Sequence, residues 1–141
     1  MAITFSENIE GFNLPDKEKI KKWLTAIIQE QGKRVGMIGY LFCDDEYILD
    51  ANQRYLNHDT YTDIITFDYV EGDFVSGDIM ISVDRVGENA EKFGVPFADE
   101  LHRVIAHGVL HLLGQGDKTE EEANIMRQKE NQALAKYQEI N

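Results

Sequence analysis

The sequence predicts an α+β fold, a small mixed sheet of four strands packed with about five helices, and three observations carry that reading. Runs rich in β-branched and aromatic residues gather in the first half of the chain, whereas amphipathic helical patterns dominate the second. A composition of 43% hydrophobic and 28% charged residues with only two prolines suits a chain that buries a real core and lacks the signature of disorder. No Pro-, Gly- or Ser-rich linker and no internal repeat divides the sequence, so residues 1–141 read as a single domain.

In chain order, a short strand is expected near Ile3 to Phe5. Asn13 is placed to cap a helix with Pro15 in its first turn, and Ile20, Trp23, Leu24, Ile27 and Ile28 then fall on one face. Gly36 to Cys43 is a near-continuous apolar run of strand length, the pattern of a strand covered on both sides. Asp44 caps a helix bearing Tyr47, Ile48, Ala51 and Tyr55 and ending near Asn57. Asp63 to Tyr69 and Val75 to Val83, on either side of the turn signal Glu71-Gly72-Asp73, read as neighbouring strands. Asp84 opens a helix that stops at Gly94, and Pro96 precedes another that reaches Leu113 before Gly114. Thr119 with Glu122 is a capping box, opening a last helix through Ala123, Met126, Leu134 and Tyr137.

Fourteen Lys+Arg against 26 Asp+Glu give a formal charge of -12, so the molecule as a whole repels nucleic acid and anionic membranes. Any polyanion it handles must meet a local exception, and Lys17, Lys19, Lys21 and Lys22 with Lys33 and Arg34 form the dense cationic cluster. The single cysteine, Cys43, lies in an apolar run and reads as a buried small hydrophobe; an internal disulfide is excluded and a reducing compartment is expected. No basic, then apolar leader opens the chain and no segment approaches ~18 uninterrupted apolar residues, so a soluble cytoplasmic protein is the expectation.

The stretch from His107 to Asp117, HGVLHLLGQGD, carries the chemistry. Residues four apart on a helix differ by about 40° in direction and about 6 Å in height, so His107 and His111 share a face and can share a cation. Gly114 can take the left-handed conformation that ends the helix, and a chain reversing there brings Asp117 back over that face as a third ligand. Two neutral imidazoles and one carboxylate leave a coordination position open, as in catalytic rather than structural zinc sites. The neighbours Leu101, Val104, Ile105, Leu110, Leu112 and Leu113 make this the most apolar helix, so both histidines are sheltered and need partners. His102 lies about 140° away around the helix and stays outside the ligand set. Asp63 and Asp78, flanking strands beside the cleft, are candidate acceptors that orient the ligating histidines.

This stretch resembles the signature of the YbeY family of bacterial endoribonucleases, H-G-x-L-H-L-x-G-Y-D-H. The similarity extends to Asn52, Tyr55, Asp59, Thr62, Asp63 and the run Ile64 to Phe67, and to Gly77-Asp78-Ile79-Met80-Ile81-Ser82, which corresponds to a G-D-I-x-I-S strand. The resemblance implies a zinc-dependent endonuclease of single-stranded RNA, working in the cytoplasm in ribosomal RNA maturation, at the 16S 3′ end, and in ribosome quality control, with the ribosome or ribosomal proteins as partners and no membrane. Two positions depart from the pattern: the third histidine falls on Asp117, and the arginine after the Tyr55 position is Leu56. Asp remains a competent zinc ligand at about 2.0 to 2.2 Å. Arg54 is the candidate to replace the missing guanidinium, and His58, with Asp59, the candidate proton carrier. Water and the RNA 2′-hydroxyl stand as alternative nucleophiles.

Other chemistries share the ligand pattern. A zincin-like metal helix also occurs in metalloproteases, but there a glutamate follows the first histidine as general base, where this chain has Gly108; Glu100 and Glu122 have no evident route to that role. Two histidines and a carboxylate also make the facial triad of non-haem iron oxygenases, although those ligands usually come from separated strands. A third reading is a ribosome-assembly factor whose metal is structural and which does not cleave.

Overall fold

The structure, a computed structural model, describes residues 2–56 and 62–141. Its elements are β1 (Ala2–Glu7), α1 (Lys17–Glu30), β2 (Arg34–Cys43), α2 (Asp45–Leu56), β3 (Ile64–Asp68), β4 (Phe74–Ser82), α3 (Val83–Phe93), α4 (Phe97–Leu112) and α5 (Glu120–Glu139). The strands form one mixed sheet in the order β1-β2-β4-β3. β1 and β4 run parallel to β2, and β3 returns antiparallel along β4, with Ile64 opposite Ile81 and Asp68 opposite Gly77. The expected α+β architecture, with four strands and five helices, is present.

The sheet's two faces are covered unequally. On one, Ile38, Tyr40 and Phe42 of β2 and Val75, Ile79 and Ile81 of β4 pack against Trp23, Leu24 and Ile28 of α1 and against Val104, Ile105 and Val109 of α4. The Tyr40 hydroxyl donates to the Ile105 carbonyl at 2.7 Å, and the Trp23 indole donates to the Ala133 carbonyl at 2.7 Å. Both polar tips are thereby satisfied inside the core, and they tie α4 to the sheet and α5 to α1. On the other face, among the described residues, α2 packs, and its Ile48 and Ala51 make a small cluster with Cys43 and Ile65. The expectation of a β2 covered on both sides therefore fails: Met37 is 61% exposed, because α2 covers only one end of that face.

Helix starts depart from expectation at two places. The first helix begins at Lys17 after Asp16, whose φ is 58°, and Asn13 does not cap it. Pro15 keeps Leu14 out of the helical region, and Leu14 is buried instead. α3 opens on Ser82, whose hydroxyl accepts from the Arg85 amide at 3.1 Å; Asp84, the expected cap, accepts from the Asp45 amide at 3.0 Å. The other signals hold: Asp44 accepts from the Tyr47 amide, Thr119 and Glu122 make the reciprocal capping box, and Gly94 is left-handed.

Where α4 meets the sheet, two glycines permit close approach. A Cβ on Gly108 would lie 2.9 Å from Ile79 Cδ1 and 3.2 Å from Ile64 Cδ1, and one on Gly77 would lie 2.6 Å from the Phe67 carbonyl oxygen. The metal helix of the sequence reading thus lies hard against β3 and β4, which fixes its distance from the sheet.

Candidate functional site

α4 is amphipathic in a way that sorts its residues. Leu101, Val104, Ile105, Val109, Leu110 and Leu112 are buried, while His107 and His111 line a cleft of about 520 Å³. The edge strand β3 with its approach contributes Asp63, Ile64 and Thr66, α3 contributes Asn89 and Phe93, and α5 contributes Met126, Arg127 and Glu130. Asp117 joins from the loop after α4. That loop turns at Gly114, whose φ of 98° is the left-handed conformation, with its amide donating to the His111 carbonyl at 3.0 Å. His107, His111 and Asp117, the predicted ligands, therefore share one cleft.

His107 is held from both sides. Its Nδ1 is 2.7 Å from Glu130 Oε2, and its Nε2 is 3.3 Å from Asp117 Oδ2. The other Glu130 oxygen accepts from Arg103 at 3.0 Å, and Asn131 Oδ1 accepts from the same guanidinium at 2.7 Å. Burial alone would push the His107 imidazolium down, but the hydrogen bond and charge of Glu130, joined by Asp117 and Asp63, outweigh it and raise the pKa above the ordinary histidine range. Glu130 answers in the opposite sense: burial favours its neutral form, yet its bonds from His107 and Arg103 hold it below the usual carboxylate range. Asp63 and Glu100 are pushed up, chiefly by burial.

The donor chemistry fits a divalent ion. With Nδ1 donating to Glu130, the His107 ring is held so that Nε2 faces the cleft, where loss of its proton would free a lone pair for an ion, the carboxylate–histidine arrangement that orients metal ligands. His111 and Asp117 supply a second imidazole and an anionic oxygen. Among the described residues no group of three such side chains is already arranged to hold a metal ion. What stands preformed is the Glu130–His107–Asp117 chain.

The remaining predicted residues fall in different places. Arg54 pairs with Asp50 at 3.1 Å on α2, is mostly exposed, and does not line the cleft. His58 and Asp59 lie outside the described residues. Asp63 lines the cleft, but Asp78 is on the opposite face of the sheet, in a hollow with Tyr69 and Met80, so it cannot orient the histidines. The strand period explains the error, since successive residues of β4 point to opposite faces. Glu100, which the sequence reading set apart, does line the cleft. His102 stays out, packed on Trp23 and Tyr137. Of the lysine cluster, Lys17, Lys21 and Lys33 pair with Glu7, Glu18 and Asp73, and none of the cluster lines the cleft.

Three cleft residues escaped the sequence reading: Arg103, Arg127 and Glu130. A signal for Glu130 was available, because Met126, Glu130, Ala133 and Tyr137 recur at helical spacing and form the buried stripe of α5. A carboxylate on an apolar stripe needs a buried partner.

A family model described as endoribonuclease YbeY matches residues 5–138 of the chain. Endoribonuclease YbeY of Bacteroides thetaiotaomicron is 52% identical over 137 residues, covering 96% of this chain and 98% of the relative. The Flavobacterium johnsoniae protein of the same name is 48% identical over 135 residues, with 96% of each chain covered. The solution structure of TM1509 from Thermotoga maritima superposes with a TM-score of 0.70 at 27% identity, covering 96% of this chain and 89% of that one. With a histidine pair on a sheet-packed helix, an acidic residue across the cleft, and relatives about half identical along nearly their whole length, the chain belongs to the YbeY endoribonuclease family.

Proposed function

We propose that this protein is a metal-dependent endoribonuclease that cuts single-stranded RNA, acting on ribosomal RNA precursors in the cytoplasm in concert with the ribosome or its proteins. His107, His111 and Asp117 would hold the ion, most simply Zn2+. The observation that carries the reading is the pinned His107: Glu130 holds its Nδ1 at 2.7 Å, and Asp117 faces its other nitrogen at 3.3 Å. Family membership and the relatives' names support the reaction class. Among the described residues no helix is long and apolar enough to cross a membrane.

When bound, the ion supplies Lewis acidity toward a phosphate oxygen and lowers the pKa of water. The chain's own part is orientation and charge. Glu130 holds His107, Ile64, Val104 and Met126 give the cleft an apolar wall, and Asp63 and Glu100 line it as carboxyls that burial inclines toward the protonated form. A protease reading loses support from the position after His107: Gly108 offers no general base, and a Cβ there would press on Ile79 and Ile64. The test is cleavage of single-stranded against duplex RNA, with and without chelator. Cleavage confined to single strands, abolished by chelator and restored by Zn2+, is expected; chelator-insensitive cleavage contradicts the proposal.

A further inference from the structure

Carboxylates dominate the cleft. Asp63, Glu100, Asp117 and Glu130 line it, and the permanently cationic side chains among the lining residues are Arg103 and Arg127. Four possible negative charges against two positive ones make a poor host for a phosphodiester, and even a bound divalent cation only brings that sum to neutrality. A scissile phosphate, which gains negative charge as it is attacked, needs a donor of its own. The guanidinium is suited to this, being planar, always charged and able to contact two phosphate oxygens at once.

Arg103 is built for such a task. It sits on α4 one turn before His107, and both side chains are fastened to the same carboxylate: Glu130 Oε1 accepts from Arg103 at 3.0 Å while Oε2 meets His107 at 2.7 Å. Asn131 accepts from its other terminal nitrogen at 2.7 Å. Of the five N–H donors of a guanidinium, these bonds engage two, leaving three. The side chain remains 20% exposed, so it is anchored without being sealed. Arg127 makes no ion pair among the described residues and is exposed. Both arginines also border a second hollow of about 540 Å³ next to the cleft, in which Phe93 and His102 offer rings. A strand leaving the reaction centre in that direction passes both guanidiniums.

We infer that Arg103 is a catalytic residue that grips the scissile phosphodiester of single-stranded RNA, and that Arg127 holds the flanking phosphate on the side of the second hollow. The inference rests on the endoribonuclease reading above. It moves the phosphate-binding function off α2, where Arg54 is paired with Asp50, and onto the metal helix itself. Glu130 then has a joint role, setting the distance between the ion's ligand and the phosphate's donor.

The experiment uses a fluorogenic single-stranded oligoribonucleotide, the Zn2+-loaded protein, and the variants Arg103→Lys, Arg103→Gln and Arg127→Ala, with zinc affinity and melting temperature measured on each. Expected are a fall in kcat of about 10²-fold for Arg103→Gln and a smaller loss for Arg103→Lys, which keeps the charge beside Glu130 but not the fork. Zinc affinity should stay within about threefold of wild type in Arg103→Lys. Arg127→Ala should raise KM, leave kcat near wild type, and reduce the slope of log(kcat/KM) against log[salt] by about 0.7, the loss of one single-strand phosphate contact. Arg103→Lys as active as wild type overturns the assignment, and so does a loss of activity that only tracks a loss of zinc, because Arg103 would then act solely through Glu130 and His107. Wild-type protein that cleaves no RNA would instead count against the endoribonuclease reading itself.

Discussion

Two histidines on the same helix, five residues apart, meet opposite surroundings. His102 stands in an aromatic corner, its ring 4.2 Å from that of Tyr137 and 5.8 Å from that of Trp23, and burial pushes its pKa down. His107 stands in a carboxylate corner, and there Glu130, Asp117 and Asp63 overcome the same burial and push its pKa up. Burial is common to both, so burial does not mark the functional one. The partners do: rings around His102 favour a neutral packing residue, whereas carboxylates on both nitrogens of His107 favour its imidazolium while no ion is bound and hold the ring with Nε2 toward the cleft.

The comparison breaks most sharply on ligand removal. His111→Ala or Asp117→Ala should abolish RNA cleavage by more than the roughly 10- to 100-fold that loss of a ligand's outer partner costs, while the fold, judged by circular dichroism and melting, persists. Global unfolding of His111→Ala would favour a structural ion instead. Glu130→Gln comes next, with zinc affinity lowered by roughly 10- to 100-fold as measured by chelator competition, since the amide no longer fixes the His107 tautomer as an anion does.

The helix that carries both histidines depends on its contact with the sheet. Gly77→Ala, which forces a Cβ to 2.6 Å from a backbone oxygen, and Gly108→Ala, which meets side-chain methyls at 2.9 Å, should each destabilise the fold by about 1 to 3 kcal/mol in urea titrations. Gly77 should cost the more, because a carbonyl of β3 yields less readily than the end of Ile79.

A smaller effect separates the two histidines by sign. In chelated protein, His102 has a folded pKa below its unfolded value near 6.5, so the unfolded chain binds the proton more readily and the contribution of His102 is lost as pH falls below that value. His107 has a raised folded pKa, so its contribution is full at low pH and fades as pH rises through the raised value. The stability difference between wild type and His102→Phe should therefore shift toward the variant on going from pH 7.5 to 5.5, and the difference for His107→Phe should move the opposite way. Smallest of all is Cys43, whose thiol burial pushes up to about 12; it should resist alkylation at pH 8 until the protein unfolds.

Local chemistry made much of this legible beforehand. The caps at Asp44 and Thr119, the left-handed glycines 94 and 114, and the one-face spacing of His107 and His111 depend on neighbours within a few residues, and all are present. What escaped depends on distant contacts. Glu130 meets His107 across 23 residues of sequence, and Asp78 falls on the wrong face because strand pairing decides where each residue of β4 points. Arg54 satisfies the right residue type near the right motif, but α2 lies on the other side of the sheet from α4. Pro15, expected in the first helical turn, instead precedes Asp16 and the helix, with Leu14 buried ahead of it.

A crystal of this protein grown with Zn2+, examined at the zinc absorption edge, tests the account at its centre. The prediction is one anomalous peak in the cleft, about 2.0 to 2.2 Å from Nε2 of His107, an imidazole nitrogen of His111 and a carboxylate oxygen of Asp117, with Nδ1 of His107 still bonded to Glu130. A peak bound by other residues, or zinc-replete crystals with Asp117 left outside the coordination sphere, would contradict it.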